Sequence, residues 1–348
     1  MTRRAAQPSV AGRRRGVGLF GALTLALASA CGPKSPPPPP GPPPVALQLD
    51  HACELAPAAG LEWIVDARPR EIAETPDLIP AIALVVPEAR FAAFAATHGG
   101  LDVRQMKELC VARYKDSSLT IARGPLDPAR VETAFADRMT NPGGRTLVVP
   151  NPPVVRQWGE VNGEPQALTI FAREAVALEA GRGAAGSAPR VRAAEAFALG
   201  RLKRASPALK ATLARAAELL GEAPARAFAP GPFEGELAQG LGGLLRASTA
   251  VGGSARFAGP PAQIAVRIVL TGAWGKDAQA AADRFIAAAN VVADSPFGRL
   301  LSLNHPVLAP AVRGTPDALI LDVTLDGMAL ARGLHDALDA EVGEIMRR

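Results

Sequence analysis

Apolar positions along the chain follow two rhythms, one of period two and one of period near four. Ile264, Val266, Ile268 and Leu270 occupy alternate positions and so share one face of a strand, ahead of a helix expected to start near Asp277. Leu319, Leu321, Val323 and Leu325 alternate with Ile320, Asp322 and Thr324, the pattern of a half-buried strand. In the segment that follows, Leu330, Leu334, Leu338 and Val342 form one row of a helix. A third strand-helix pair runs from Leu119-Thr120-Ile121-Ala122 to Asp127-Pro128, where an aspartate N-cap and a proline at the first helical position open VETAFADRM. Laid over each other, LTIARGPLDPARVETAFAD and LILDVTLDGMALARGLHDA match at several places, which suggests a duplicated β-α unit.

Glu62 to Arg68 reads as an opening strand, and residues 76–98 and 102–114 read as mostly helical, with Pro80 and Pro87 dividing the first stretch. Residues 145–149 and 167–179 read as strands, with a hairpin across Asn162-Gly163. The small-residue stretch 181–189 is a hinge ahead of helices at 190–204 and 207–221, and it divides 45–187 from 188–348. Strands and helices mix without a strict βαβ rhythm. The expected fold is α+β, helices packed on a mostly antiparallel sheet, with two β-α-containing halves.

The first 44 residues follow neither rhythm. Arg3, Arg4, Arg13, Arg14 and Arg15 form a basic start, and residues 1–30 hold no acid. Val17 to Ala30 is uncharged and apolar, but shorter than the roughly 20 residues a membrane-spanning helix needs. These are the parts of an export signal. Ala28-Ser29-Ala30-Cys31, with Leu27 before it, resembles the lipobox of bacterial lipoproteins. The resemblance implies cleavage before Cys31, a diacylglyceryl group on its thiol and an acyl chain on its new amine, several chains together giving a stable anchor. Gly32 follows in place of the aspartate that retains many lipoproteins in the inner membrane, so the resemblance implies the outer membrane, facing the periplasm. Residues 33–44 are proline-rich and favour polyproline II, a tether of roughly 37 Å at about 3.1 Å per residue.

This leader changes the meaning of the charge. The chain is formally +5, yet its first 30 residues carry five arginines, so the remainder is near neutral and gives no case for nucleic acid. Charge is instead polarised by segment. Arg190, Arg192, Arg201, Lys203, Arg204, Lys210 and Arg215 face only Glu195 across 190–215, whereas across 317–344 seven acids face only Arg332. Arg201, Lys203, Arg204 and Lys210 are candidates for an anionic envelope polymer or lipid headgroup; alternatively the two segments pair with each other or are solvated helix faces.

Beyond Cys31 the chain holds Cys53 and Cys110. In an oxidising periplasm they invite a disulfide, while the helical row Val103, Met106, Cys110 would equally make Cys110 a buried thiol. His51, Cys53 and Glu54 cluster, but a zinc site draws its ligands from two separated motifs and the other histidines stand apart, so no metal is expected. Gly181-Arg182-Gly183-Ala184-Ala185-Gly186 satisfies the dinucleotide pattern literally, yet residues 196–217 lack the acid that would hold a ribose, so no cofactor is expected. Gly252-Gly253-Ser254-Ala255 lacks the trailing glycine of a nucleophile elbow. The sequence therefore leads to a lipid-anchored, non-enzymatic binding or accessory module, its partners the membrane and another envelope protein or cell-wall polymer. The alternatives are an envelope hydrolase with a non-local site and a carrier of an apolar ligand in a helix-on-sheet groove.

Overall fold

The computed structural model describes residues 44–184, 187–201 and 206–345, all within one compact unit spanning Pro43–Arg348. The leader, Cys31, the linker to residue 43, Lys203 and Arg204 lie outside the described residues. A 3-10 turn at Ala52–Leu55 leads into strand β1 (Leu61–Ala67) and helices α1 (Pro69–Ala73), α2 (Ile79–Val85) and α3 (Glu88–Thr97). The hairpin β2 (Glu108–Tyr114) and β3 (Ser117–Arg123) precedes α4 (Pro128–Arg138). A meander follows, of β4 (Asn141–Pro150), β5 (Pro153–Val161), β6 (Glu164–Phe171) and β7 (Ala175–Gly181). Helices α5 (Pro189–Ala198) and α6 (Ala214–Leu220) lead to β8 (Ala225–Pro230), β9 (Ser248–Gly259) and β10 (Gln263–Gly272). The chain then forms α7 (Ala278–Asp294), α8 (Pro296–Leu300), β11 (Leu308–Thr315), β12 (Ala318–Asp326) and α9 (Gly327–Ile345).

All twelve described strands join one antiparallel sheet in the order β11-β12-β10-β9-β8-β1-β2-β3-β7-β6-β5-β4. The fold is thus α+β, with helices on an antiparallel sheet. Strands before residue 187 are contiguous in it, as are those after, and the two runs meet where Ile64 to Ala67 pairs with Phe228 to Ala225. Asn162 and Gly163, at φ 53° and 77°, make the β5–β6 hairpin, since a two-residue loop that matches strand twist needs φ > 0 at both centres. Two of the three strand-helix pairs carry the same start signal, and Asp277 before α7 makes no such side-chain bond. Asp127 accepts from the Ala129 and Arg130 amides at α4, and Asp326 from those of Met328 and Ala329 at α9.

Both faces of the sheet are covered. On one, the 3-10 turn, α5 and α6 bury a continuous core that includes Ile64, Cys110, Tyr114, Leu119, Phe171, Val191, Leu213, Leu220, Val269 and Ile320. On the other, α4 buries Val131 and Phe135 against β5–β7, and α7 buries Ala281 and Phe285 against Leu270, Leu319 and Leu321. Residues 45–48 pack on the first face, through Val45 and Leu47 and the bonds Val45 N–H to Asn151 O (3.0 Å) and Gln48 N–H to Ala198 O (2.7 Å).

Two local expectations are corrected. Residues 102–114 are not helical: a short 3-10 turn at Val103–Gln105 leads into β2, where Cys110, Ala112 and Tyr114 are buried at period two. Pairing with β1 and β3 on both sides outweighs the helical spacing of Val103, Met106 and Cys110. The 207–221 segment is broken into a 3-10 turn at Ala208–Lys210 and the short α6. Gly181 ends β7 with φ at 112°, where a Cβ would lie 2.8 Å from the Asp116 carbonyl oxygen.

Candidate functional site

A groove of about 480 Å³ opens between α7 and strands β10 to β12. Its floor is the two apolar rows of the sequence, here Val266 and Ile268 beside Leu321, Val323 and Leu325, on the face away from residues 45–48. α7 lines the groove with Phe285, Ala289, Asn290, Val292, Ala293 and Asp294, and at the two alanines it leaves unfilled the space that larger side chains would occupy. The segment after α8, with Leu303, Pro306 and Pro310, forms the far wall. Polarity is confined to Asn290, Asp294 and Asn304. The Asn304 Oδ1 is buried and has no hydrogen-bond partner, so a ligand that donates one would relieve a costly orphan acceptor.

Cys53 and Cys110 are joined in a disulfide, with Cα atoms 5.1 Å apart, which fixes the 3-10 turn to β2 in the main core. Neither sulfur is thus available to a metal, and no group of three potential ligands occurs among the described residues. His51 lies 3.9 Å from Glu108, whose carboxylate also takes the Ala52 amide (2.7 Å) and Arg123 (2.8 Å). Asp50, His51, Glu54 and Lys210 surround a polar pocket of about 240 Å³ that no Ser, Thr or Cys lines.

Of the four candidate cations, the described residues include Arg201 and Lys210. Arg201 is exposed, but Lys210 pairs with Glu54 at 2.6 Å. The basic and acidic segments do meet, through Arg215 and Asp317 at 2.7 Å. Arg190 lies over the Tyr114 ring, 4.3 Å from its centroid, and burial raises the phenol pKa above its ordinary value.

Two buried carboxylates escaped the sequence reading. Glu179 on β7 accepts from the Arg190 and Val191 amides (2.9 and 3.0 Å) and from Ser117 Oγ (3.2 Å), so it caps α5 where Ala188 offers no side chain to do so. Glu195, on α5, takes Arg156 (2.7 Å) and Thr169 Oγ1 (2.6 Å) from the sheet. Burial pushes both carboxyl pKa values up, against the opposing pull of these donors. They fasten α5 at both ends. Their only sequence signal was acids standing in otherwise apolar runs.

No protein-family model matches the chain, nor does any curated protein. Solved structures of TP0453 are similar in fold: crystal form III at 12% identity and TM-score 0.49, covering 83% of this chain and 99% of that one. Crystal form I matches at 10% identity and TM-score 0.46, covering 84% of this chain and 98% of that one.

Proposed function

We propose that the chain is a non-enzymatic binding module, lipid-anchored at Cys31 to the outer membrane, that holds the apolar part of a ligand in the groove under α7. The groove carries this reading: about 480 Å³ lies within the range of small-molecule sites, with an apolar floor and three polar side chains, Asn290, Asp294 and Asn304, in its lining. Each ligand methylene buried there contributes roughly 0.8 kcal/mol, so about ten of them exceed the lower estimates of association cost, near 4 kcal/mol. A hydrolase is less supported. His51 lies 3.9 Å from the Glu108 carboxylate, beyond hydrogen-bond reach, and no Ser, Thr or Cys lines the pocket beside it.

The test is uptake of an apolar fluorescent dye such as 1-N-phenylnaphthylamine. Wild-type protein should enhance its emission, and Ala289→Phe, which fills the groove from α7, should lose most of that enhancement while keeping its circular dichroism. Absence of dye uptake, or equal uptake by a folded Ala289→Phe variant, would refute the reading.

A further inference from the structure

A second hollow, of about 100 Å³, lies in the other half of the molecule, between α3, α4 and strands β2, β3, β6 and β7. Leu101, Met106, Leu109, Leu168 and Val176 line it, and its polar end is Arg138 with His98. Arg138 is half-buried and forms no ion pair with any carboxylate among the described residues. Its Nε–H donates to the Ala134 carbonyl (3.2 Å) and one terminal N–H reaches His98 Nε2 (2.6 Å). An arginine has five such donors, so three have no protein acceptor among the described residues.

His98 is arranged to leave that charge in place. A guanidinium only donates, so Nε2 must be the acceptor and the ring proton sits on Nδ1, 2.9 Å from the Phe94 carbonyl oxygen. The ring stacks on Phe94 with centroids 4.0 Å apart. Burial and the Arg138 charge both hold the His98 pKa below its ordinary value, so the imidazole is neutral and cannot serve as a counter-ion. Burial also lowers the Arg138 pKa, the direction expected of a cation desolvated without a carboxylate, with the Phe135 ring centroid 5.8 Å away.

A half-buried cation with spare donors at the end of an apolar hollow fits a molecule with a carboxylate at one end and hydrocarbon at the other. We propose that this hollow binds a small amphipathic monocarboxylate, its carboxylate on Arg138 and its hydrocarbon among Leu101, Met106, Leu168 and Val176. The volume limits the hydrocarbon to a chain of roughly four or five carbons, short of the benzene ring that cavities of about 150 Å³ hold. The site is separate from the groove under α7 and takes a different ligand class.

Calorimetric titration of the folded body, cleaved of its leader, with hexanoate, hexan-1-ol and hexylamine tests this. Hexanoate should bind at least about tenfold more tightly than the alcohol, and the amine should not bind, since only the anion makes charge-assisted bonds. Arg138→Met should weaken hexanoate about tenfold and leave the alcohol unchanged. Ala122→Leu, which fills the hollow from β3, should abolish both. Equal affinities for acid and alcohol, or undiminished hexanoate binding by Arg138→Met, would overturn the proposal. Should Arg138→Met fail to fold, hexanoate binding that survives in folded Ala122→Leu overturns it as well. Ala289→Phe should leave hexanoate binding intact, and loss there would move the ligand to the groove under α7 and overturn the assignment.

Discussion

Replacing both Cys53 and Cys110 by alanine removes the one covalent cross-link among the described residues. The cysteines are 57 residues apart, and the ring they close takes in β1, three helices and the start of β2. Opening it returns to the unfolded chain an entropy of roughly 2.1 + 1.5R ln n, about 14 cal/mol/K for this loop, or about 4 kcal/mol at 25 °C. Both residues are buried to within 1% of full enclosure, so the replacement also leaves a small void and no exposed thiol. A body of this size unfolds with an entropy of about 0.6 kcal/mol/K, which converts the loss into a fall of about 6–7 °C in melting temperature. Circular dichroism melts of the oxidised wild type and the double variant measure it. A fall below about 2 °C, with the bridge verified by mass in the wild type, would refute the loop-entropy reasoning.

Two further outcomes follow from the buried acids and the anchor. Glu179 and Glu195 have folded pKa values raised above the ordinary 4.5, so the stability tied to their protonation is fully present below that value and is lost as pH rises through the folded values. Urea midpoints of Glu195→Gln should therefore vary less between pH 4.5 and 7.5 than those of wild type, and a variant with the wild-type slope would remove Glu195 as a contributor. Cys31→Ser should move the protein from the detergent to the aqueous phase of a detergent partition; a wild type already in the aqueous phase would dismiss the acyl anchor.

Where structure was legible in the sequence, the signal was local. The alternation in β10 and β12, the Asp127 cap and the Asn162-Gly163 turn each depend on residues within one element. β2 was misread because Val103, Met106 and Cys110 fit a helical row, and only strands far away in sequence settle which period applies. β9 gave no signal because Gly252 and Gly253 depress strand propensity. A Cβ at Gly252 would lie 2.9 Å from Leu220 Cδ1 and 3.2 Å from Phe228 Cδ1, so the glycine admits α6 against the sheet. The rows that floor the groove were visible, but its emptiness was not. A void depends on what fails to meet across a gap, here Ile268 and Leu321 against Ala289. The lone charge of Arg138 was hidden likewise, since an absent counter-ion is a fact about neighbours in space.

The order of strands in the sheet bears on how such a chain could be assembled from its N-terminus. Residues up to 181 supply seven neighbouring strands, and the partner for the outer side of β1 arrives only with 225–230. While the chain emerges vectorially, β1 stands as an open rim with unpaired amides and carbonyls, the kind of rim that recruits strands from other molecules. The late-arriving β8 closes that rim, so that the finished sheet keeps only β4 and β11 as its edges among the described strands.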